Sequence, residues 1–476
     1  MLFTDLFFLF YFLPAVLILL RLTHCRPVLN NLFRLCIILV TLVFYAYENW
    51  LWVGIFLCTS VGTYAWAFFI SRSRHARIRK ILLCAALIQC VGSLAIFKYL
   101  NWLAGIFPAL EGLRHYFALV YGNASGAILL PPGISFFTFE AISFLVDLYR
   151  KKIELPRNPL NYFTFITMFP RFIAGPIVRY TDVKEQFARW SGMAVAQGLT
   201  LFSIGFIIKV AFADQFARFV SCAFGVVHPD LIQSWIGTLA YTFQLYFDFW
   251  GYSIMATGLG LCMGFQFPDN FHGPYRSLSI TEFWRLWHIS LSSWLRDYLY
   301  FAMGGSRCAK WRRYFNLLAT MVLGGLWHGA SFSFVVWGFY HGFLLCLERW
   351  IGVDRMGTWP RILRWTYAFL AVMAGWVVFR AKDFSQAVDV YQGLVGCHGV
   401  LEKFNPVLFE KYGFSLSLCL LGLLFCMFGE KKLIREEGLQ AVRFSLWKSV
   451  GIWACFCVAL LIRLSEDSIP FLYFQF

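Results

Sequence analysis

Charged residues are scarce in this chain of 476 residues, because only 14% are Asp, Glu, Lys or Arg. Soluble globular proteins carry about 25%. In their place, 60% of the residues are hydrophobic and 20% are aromatic. This composition excludes a soluble enzyme, a disordered scaffold and a secreted disulfide module. It predicts a polytopic helical membrane protein, in which each crossing needs about 20 apolar residues.

The signatures of several common enzyme classes are also missing. The chain has no GxxxxGK[ST] phosphate loop, no HExxH helix and no GxSxG elbow. P-loop phosphoryl transfer, zinc proteolysis and serine-esterase chemistry are therefore not supported. The 14 cysteines show no zinc-finger or CxxC spacing. We interpret them as small buried hydrophobic residues, and we predict no metal site and no bound cofactor.

The apolar runs predict about 11 membrane crossings within one integral-membrane domain, residues 1–476. The runs fall near 5–20, 33–47, 50–70, 81–107, 196–226, 231–264, 314–328, 331–350, 362–380, 413–429 and 446–463. Two shorter runs, 133–149 and 160–178, lie beside or contain proline and glycine. We expect broken or re-entrant helices there. Such helices occur within a membrane only where other protein segments bury the backbone or where the backbone lines a cavity.

The distribution of charge predicts the orientation of the chain. Lys and Arg number 41 against 25 Asp and Glu, a formal net charge of +16. The basic residues gather in short segments between apolar runs, near 21–34, 72–80 and 150–157. Such segments mark cytoplasmic loops and not a nucleic-acid-binding surface, so no nucleic-acid partner is predicted. The N-terminus is predicted to lie outside, on a first membrane anchor and not a cleaved signal peptide.

The segment 267–313 combines many charges with aromatic residues. Ser279 and Glu282 have the spacing of a capping box, so we expect a helix to begin near Ile280. Continued to residue 298, this helix would have an aromatic and a polar face. The faces would consist of Trp284, Trp287, Leu291, Trp294 and Tyr298, and of Arg285, His288, Ser292 and Arg296. Periodicity alone fits both an interfacial helix and the lining of a polar cavity.

A second polar feature is the sequence GGLWHGA at 324–330, in which His328 lies at the junction of two apolar runs. The glycines allow another backbone or a ligand to approach closely. A histidine at membrane depth is either a functional proton carrier or a donor of one structural hydrogen bond. The residue alone leaves both interpretations open. His341, further along the next run, is interpreted as structural.

Other polar residues inside apolar runs are expected to form structural pairs, because a lone buried charge is costly. They are Glu140, Asp147, Lys209, Gln244, Asp248 and Arg380. Arg171 lies in the proline-interrupted segment 170–176. It has two open interpretations, as a ligand for an anionic group or as a cap for exposed backbone carbonyls.

Several motifs together resemble the membrane-bound O-acyltransferase family and, within it, the alginate O-acetyltransferase (AlgI-type) branch. They are PPGISF at 131–136, FPR at 169–171, GPI at 175–177, WRLWHISLSSWLRDYLY at 284–300, GGSR at 304–307 and GGLWHGA at 324–330. The C-terminal sequence FLYFQF at 471–476 is similar to the same branch. The motif core spans about 131–345, and the resemblance covers most of the chain.

The resemblance implies an all-α polytopic fold around a central tunnel in a bacterial inner membrane. It implies that His328 is the catalytic histidine, which we predict acts as a general base, and that His288 is the second histidine of the site. We predict that His288 either orients His328 or stabilises the oxyanion. The acetyl donor would be acetyl-coenzyme A or an acyl-carrier thioester. The acceptor would be an exported polysaccharide such as alginate, with periplasmic acetyltransferase partners. A basic mouth is predicted to hold the donor's phosphates, and its residues are Arg296, Arg307, Arg312 and Arg313.

Other functions are compatible with parts of this pattern. Within the same fold, the chain could transfer D-alanyl groups to teichoic acid, as DltB-type members do, or acetylate cellulose or another exopolymer. In a different class, the histidines could form the proton relay of a transporter or flippase. The sequence has no inverted repeat of the kind that many transporters contain, and the transport hypothesis does not explain the motifs quoted above.

Overall fold

The computed structural model describes residues 1–24, 30–123, 126–172, 175–188, 192–352, 357–401, 406–429, 445–466 and 469–472. These residues are helical or irregular, and they contain no strand apart from an isolated bridge between Gly122 and Ile128. The predicted all-α fold is therefore confirmed for this part of the chain. Ile173, Ala174 and most of the C-terminal motif, 473–476, lie outside the described residues.

The chain forms two compact units, Met1–Leu199 with Ala256–Pro268, and Thr200–Met255 with Asp269–Phe476. The helices of the first unit are α1 Leu13–His24, α2 Asn30–Ala46, α3 Trp50–Arg72, α4 Ala76–Leu94, α5 Leu100–Ile106, α6 Glu111–Tyr121, α7 Ile134–Tyr149, α8 Pro159–Thr167, α9 Phe169–Phe172 and α10 Tyr180–Ala188. π-helical turns cover Phe8–Phe12 and Ala95–Tyr99, and a 3₁₀ turn covers Pro108–Leu110. Helices α11, Val195–Ile207, and α13, Leu231–Cys262, have residues in both units.

The remaining helices belong to the second unit. They are α12 Asp214–Ala223, α14 Ile280–Leu286, α15 Ile289–Trp294, α16 Lys310–His328, α17 Phe332–Ile351, α18 Arg361–Arg380, α19 Phe384–Leu394, α20 Pro406–Leu424 and α21 Leu446–Ser465. π-helical turns cover Ile208–Ala213, Leu295–Tyr300 and Phe425–Gly429, and a 3₁₀ turn covers Pro274–Arg276. The two histidines of the resemblance both lie in this unit.

Among the described residues, five helical segments are long and apolar enough to cross a membrane. They are Trp50–Arg72, Ala76–Ile106, Val195–Ala223, Arg361–Arg380 and Leu446–Ser465. Shorter apolar helices cover Phe8–Thr23, Asn30–Ala46 and Leu416–Met427. Repeated apolar helices of this length are those of a multi-pass membrane protein. The number of 11 crossings stays a prediction.

The two proline-containing runs of the first unit differ from each other. Helix α7 is continuous from Ile134 to Tyr149, because Gly133 precedes it with a φ of 75° and starts the helix without interrupting it. The expectation of a break at 133–149 is therefore wrong, and a re-entrant course of this helix stays a prediction. The run 160–178 is broken as expected, since α8 ends at Thr167 and α9 begins at Phe169.

Several buried charges in each unit are paired, as expected from their cost in an apolar environment. In the first unit, Arg171 forms an ion pair with Glu140 and donates to the carbonyl of Phe165. In the second unit, the Nζ of Lys209 lies 2.5 Å from Asp214 and 2.6 Å from Asp248. Arg171 therefore combines a carboxylate partner with the capping of a carbonyl, and these contacts support the structural interpretation of its position.

Candidate active site

The capping box predicted at the start of α14 is present. Ser279 has extended backbone, and its hydroxyl accepts a hydrogen bond from the backbone N–H of Glu282 at 3.0 Å. The carboxylate of Glu282 in turn accepts from the N–H of Leu278 at 2.8 Å. The first bond satisfies a donor that a helix N-terminus leaves without an intrahelical partner, and the second ties the preceding residue to the first turn. The predicted start at Ile280 is confirmed.

The helix does not continue to Tyr298, so the prediction of one amphipathic helix is wrong. Helix α14 ends at Leu286, and His288 adopts a left-handed conformation with φ 43° and ψ 55° before α15 begins. The backbone groups of this turn bond to residues outside it. The carbonyl of Leu286 accepts from the N–H of His272 at 3.1 Å, and the N–H of Ile289 donates to the carbonyl of Asn270 at 2.9 Å.

The break gives the predicted polar face two different environments. Arg285 is exposed, whereas the side chain of His288 is fully buried against the ring of Phe249 at 4.6 Å. A left-handed conformation is uncommon outside glycine and costs about 1–3 kcal/mol, and such residues cluster at functional sites. Here the residue that adopts it holds its imidazole in the protein interior.

Asn270 determines which nitrogen of His288 carries the proton. Its Oδ1 lies 3.1 Å from the Nδ1 of His288 and accepts from the hydroxyl of Ser290 at 2.8 Å, while its Nδ2 donates to Ser253 at 3.2 Å. An amide oxygen only accepts hydrogen bonds, so Nδ1 of His288 carries the hydrogen. Burial lowers the pKa of His288 to about 3, which keeps the ring neutral near pH 7. Nε2 therefore holds the lone pair.

His328 is positioned by the packing of two helices. It is the last residue of α16, which packs against α17 in a helical hairpin. A methyl group added at Gly325 would lie 2.2 Å from the carbonyl oxygen of Phe334, and one added at Gly338 would lie 2.4 Å from that of Met321. Only glycine at these two positions permits so close an approach of the backbones.

Aromatic rings surround the buried His328. Its imidazole lies 5.0 Å from the ring of Trp327 and 5.2 Å from the rings of Trp337 and Phe379, measured between centroids. Trp327 also lies 6.0 Å from the imidazole of His288. Both histidines therefore contact one indole, and the structure brings the two predicted active-site residues into the same buried region.

Glu348 links α17 to the segment that carries His288. It is buried near the end of α17, and its carboxylate accepts from the N–H groups of Ile280 and Thr281 at 2.6 and 2.8 Å and from the hydroxyl of Thr281 at 2.6 Å. A carboxylate at a helix N-terminus is stabilised by these donors and by the helix dipole. Sequence reasoning missed both Glu348 and Asn270, since neither belongs to a recognisable spacing pattern.

His341 is enclosed by rings and contributes no polar contact to the site. Its imidazole lies 5.0 Å from Trp337 and 5.3 Å from Trp284. Within the part of the chain that the structure describes, neither of its ring nitrogens has a hydrogen-bond partner. A methyl group at Gly375 would lie 2.8 Å from its Nε2, so the cage closes tightly around the ring. The structural interpretation of His341 stays a prediction.

The four arginines predicted to bind the donor lie in different settings. Arg296 is exposed and pairs with Asp297, its Nε lying 2.7 Å from Oδ1. Arg307 and Arg312 are exposed, and Arg313 is half-buried. At a rise of about 1.5 Å per residue, about 24 Å of α16 separates Arg312 from His328. A donor held at Arg312 would need a long flexible arm to reach the histidines.

A comparison with protein families identifies the class of membrane protein that holds this site. The model of the membrane-bound O-acyltransferase family matches residues 42–382. The chain belongs to this family. It is an O-acyltransferase and a multi-pass membrane protein.

Individual relatives are similar along most of their length. The chain is 43% identical to a probable alginate O-acetylase, AlgI, of Azotobacter vinelandii, over 83% of this chain and 78% of that protein. It is 38% identical to the probable AlgI of Pseudomonas putida over the full length of both chains. It is also 32% identical to a peptidoglycan O-acetyltransferase of Helicobacter pylori, over 94% and 92% of the two chains.

Proposed function

We propose that the protein transfers acetyl groups from a thioester donor toward hydroxyl groups of an exported polysaccharide, with alginate as the acceptor. The observation that carries this proposal is the pair of buried histidines that contact the indole of Trp327. The printed names of the AlgI relatives, which extend to a full-length match, support the choice of alginate.

His328 is the proposed general base. Its imidazole takes the proton of the acceptor hydroxyl as the oxygen attacks the carbonyl carbon of the thioester. The tetrahedral intermediate then collapses with cleavage of the carbon–sulfur bond, and the thiolate leaves and takes up the proton. The ring contacts of Trp337 and Phe379 hold the imidazole in one orientation, so little reorganisation is needed during the reaction.

His288 is proposed to act as a hydrogen-bond acceptor in the same site. Its Nδ1–H is committed to Asn270, which leaves the lone pair on Nε2. In this neutral state Nε2 accepts a proton or a hydrogen bond and does not donate to an oxyanion. Of the two roles that sequence reasoning left for His288, orientation of His328 is therefore favoured over stabilisation of the oxyanion.

The remaining features of the proposal concern topology and partners. We propose about 11 crossings around a central tunnel in the bacterial inner membrane, with the N-terminus outside. The basic mouth, Arg296, Arg307, Arg312 and Arg313, would lie on the cytoplasmic side and bind the phosphates of coenzyme A or of a pantetheine-bearing carrier. Periplasmic acetyltransferases would complete the transfer to the polymer.

A second candidate acceptor is another polymer of the cell envelope. The relative named as a peptidoglycan O-acetyltransferase covers almost the whole chain, which favours acetyl as the transferred group but not alginate as its destination. D-alanyl transfer to teichoic acid is the further alternative within the family. Acetylation of peptidoglycan needs an acetyl thioester as donor, whereas transfer to teichoic acid needs a D-alanyl thioester.

The proposal is tested by thioester cleavage with the purified protein in detergent. Acetyl-coenzyme A and an acetylated carrier are supplied as donors, with alginate or peptidoglycan fragments as acceptors. We expect cleavage to depend on His328, so that His328→Ala lowers turnover by about 10²- to 10⁴-fold while its elution profile is unchanged. Exposed His75 provides a matched control, His75→Ala. Full turnover by His328→Ala, or preference for D-alanyl thioesters in the wild type, would contradict the proposal.

A further inference from the structure

The second unit contains a cluster of metal-binding side chains that the proposed reaction does not use. His228 lies in the loop before α13, Asp389 lies on α19, and His398 lies in the loop after α19. Each residue offers a ligand atom, and these atoms all lie within 4.8 Å of one another. The rings of the two histidines are 5.0 Å apart between centroids.

The ring of His398 is oriented like that of a metal ligand. Its Nδ1 lies 3.1 Å from the carbonyl oxygen of Pro229, so Nδ1 carries the hydrogen and donates. Nε2, on the opposite side of the ring, then holds the lone pair of the neutral imidazole, and the amide oxygen of Gln392, an acceptor 3.2 Å from it, has to turn away when an ion binds there. Metal-binding histidines commonly donate their second ring N–H to a backbone carbonyl in this way, which fixes the ring and its tautomer.

His228 and Asp389 provide the other two ligands. Nδ1 of His228 lies 3.1 Å from Oδ1 of Asp389. This separation is close to that of two neighbouring ligands on one tetrahedral zinc ion, so Nδ1 of His228 and Oδ1 of Asp389 can both bind an ion in place of the hydrogen between them. His228 has a positive φ of 53°, and its side chain is 60% exposed. Its ring is therefore accessible to an ion.

Hydrogen bonds outside the cluster hold the two loops together. The N–H of Leu231 donates to the carbonyl of Gly399 at 3.0 Å. The indole N–H of Trp235 donates to the carbonyl of Leu394 at 3.0 Å. Because these bonds fix the chain after His228 and on both sides of His398, the ligands are brought together before any ion binds. Preorganisation of this kind lowers the cost of binding.

We propose that His228, Asp389 and His398 form a binding site for one Zn²⁺ ion. Two imidazole nitrogens and one carboxylate oxygen suit zinc, with a water molecule in the fourth position. Tetrahedral bonds of about 2.0–2.1 Å place ligand atoms about 3.4 Å apart, so small side-chain rotations bring the three atoms from their present separation into range. The ion would connect α19 and the loop that follows it to the loop before α13. This inference does not depend on the proposed acetyl transfer.

The test uses the full chain in detergent, purified through an affinity tag without histidine and stripped of metal by a chelator. Zn²⁺ is titrated against a chromophoric competitor, and the metal content is measured by mass spectrometry after desalting. We expect about one zinc per chain. His398→Ala and Asp389→Asn should each weaken binding by more than about tenfold, since even the loss of an outer partner of a ligand costs that much.

Matched controls separate this site from adventitious binding. His75→Ala and His115→Ala remove exposed histidines elsewhere and should leave the zinc affinity unchanged. Cys397→Ser removes the exposed thiol beside His398 and should also leave it unchanged. Zinc should raise the temperature of unfolding of the wild type and not that of His398→Ala. Absence of stoichiometric zinc, equal binding by His398→Ala and Asp389→Asn, loss of binding in Cys397→Ser, or a preference for iron would each overturn the assignment.

Discussion

His288 lies in a turn between two short helices, whereas His328 is the last residue of a helix of 19 residues. The first is held by a hydrogen bond from its Nδ1 to Asn270, and rings surround the second. Hydrogen bonds specify the tautomer of a histidine, but packing specifies only the position and orientation of its ring. The comparison indicates that the chemistry of His288 depends on one amide and that the placement of His328 depends on glycine contacts.

The largest effect is expected where the packing of α16 against α17 is disturbed. Gly325→Ala places a methyl group 2.2 Å from the backbone oxygen of Phe334, which cannot move without separating the helices. We expect a destabilisation of at least about 3 kcal/mol and loss of turnover. Thermal unfolding and thioester cleavage in detergent measure both.

The neighbouring glycine provides the control for this prediction. A methyl group at Gly324 meets the end of the Leu295 side chain at 3.0 Å, and a flexible side chain gives way more easily than a backbone. Gly324→Ala should therefore keep the fold and most of the turnover. Equal stability of the two variants would show that the close approach at Gly325 does not position His328.

The next effect concerns the hydrogen bond of His288. Asn270→Ala removes the acceptor of its Nδ1–H, so the ring loses its fixed tautomer. We expect thioester turnover to fall by about 10²-fold, within the range of general acid–base contributions. Asn270→Asp retains an acceptor and should preserve much more of the rate.

Ser253→Ala separates the loss of the tautomer from a general disturbance of the network. The hydroxyl of Ser253 accepts a hydrogen bond from Nδ2 of Asn270, and this bond does not involve His288. Its replacement should reduce the rate less than Asn270→Ala does. Wild-type turnover in Asn270→Ala would refute the role of the amide.

A smaller effect is expected from the carboxylate that joins α17 to α14. Glu348→Gln keeps the shape of the side chain but replaces one of two acceptor oxygens by a donor. The buried N–H groups of Ile280 and Thr281 would then compete for one acceptor, at a cost of about 1–3 kcal/mol. Thermal unfolding measures the loss. Glu282→Gln, at a half-buried residue of α14, should lower the stability less than Glu348→Gln does. A larger loss in Glu282→Gln would contradict the role of Glu348 as the link between α17 and α14.

The smallest effect is expected from the basic mouth. Arg312→Glu should raise the KM for acetyl-coenzyme A several-fold, about as much as the loss of one charge-assisted contact. Its kcat should not change, because Arg312 lies far along α16 from His328. Arg296→Glu, at a side chain already paired with Asp297, should have less influence on KM. An unchanged KM in Arg312→Glu would count against donor binding there.

Local sequence patterns predicted several features of the site correctly. The capping box placed the start of α14 at Ile280, and the glycine pair before His328 indicated a close backbone approach. The cost of buried charge predicted that Glu140 and Lys209 have structural partners. Each of these predictions depends on residues near one another in the sequence or on a strong general penalty.

Features that depend on distant residues were not predictable from the sequence. The apolar periodicity of 284–298 favours one helix, but the backbone of Asn270 binds the N–H of Ile289 and stabilises a turn at His288 instead. Glu348 reaches the start of α14 from the far end of α17. The two adjacent glycines look equivalent in the sequence, and only the position of Phe334 distinguishes them.

The central claim is that two histidines, placed by different means, serve one reaction. A double-mutant cycle tests it most directly, with thioester turnover measured for His288→Ala, His328→Ala and the double variant, each confirmed to be folded by its elution profile. Residues that act in one transition state show strongly non-additive losses. We predict that the double variant is about as slow as His328→Ala alone. Losses that simply multiply, or wild-type turnover in either single variant, would contradict the claim.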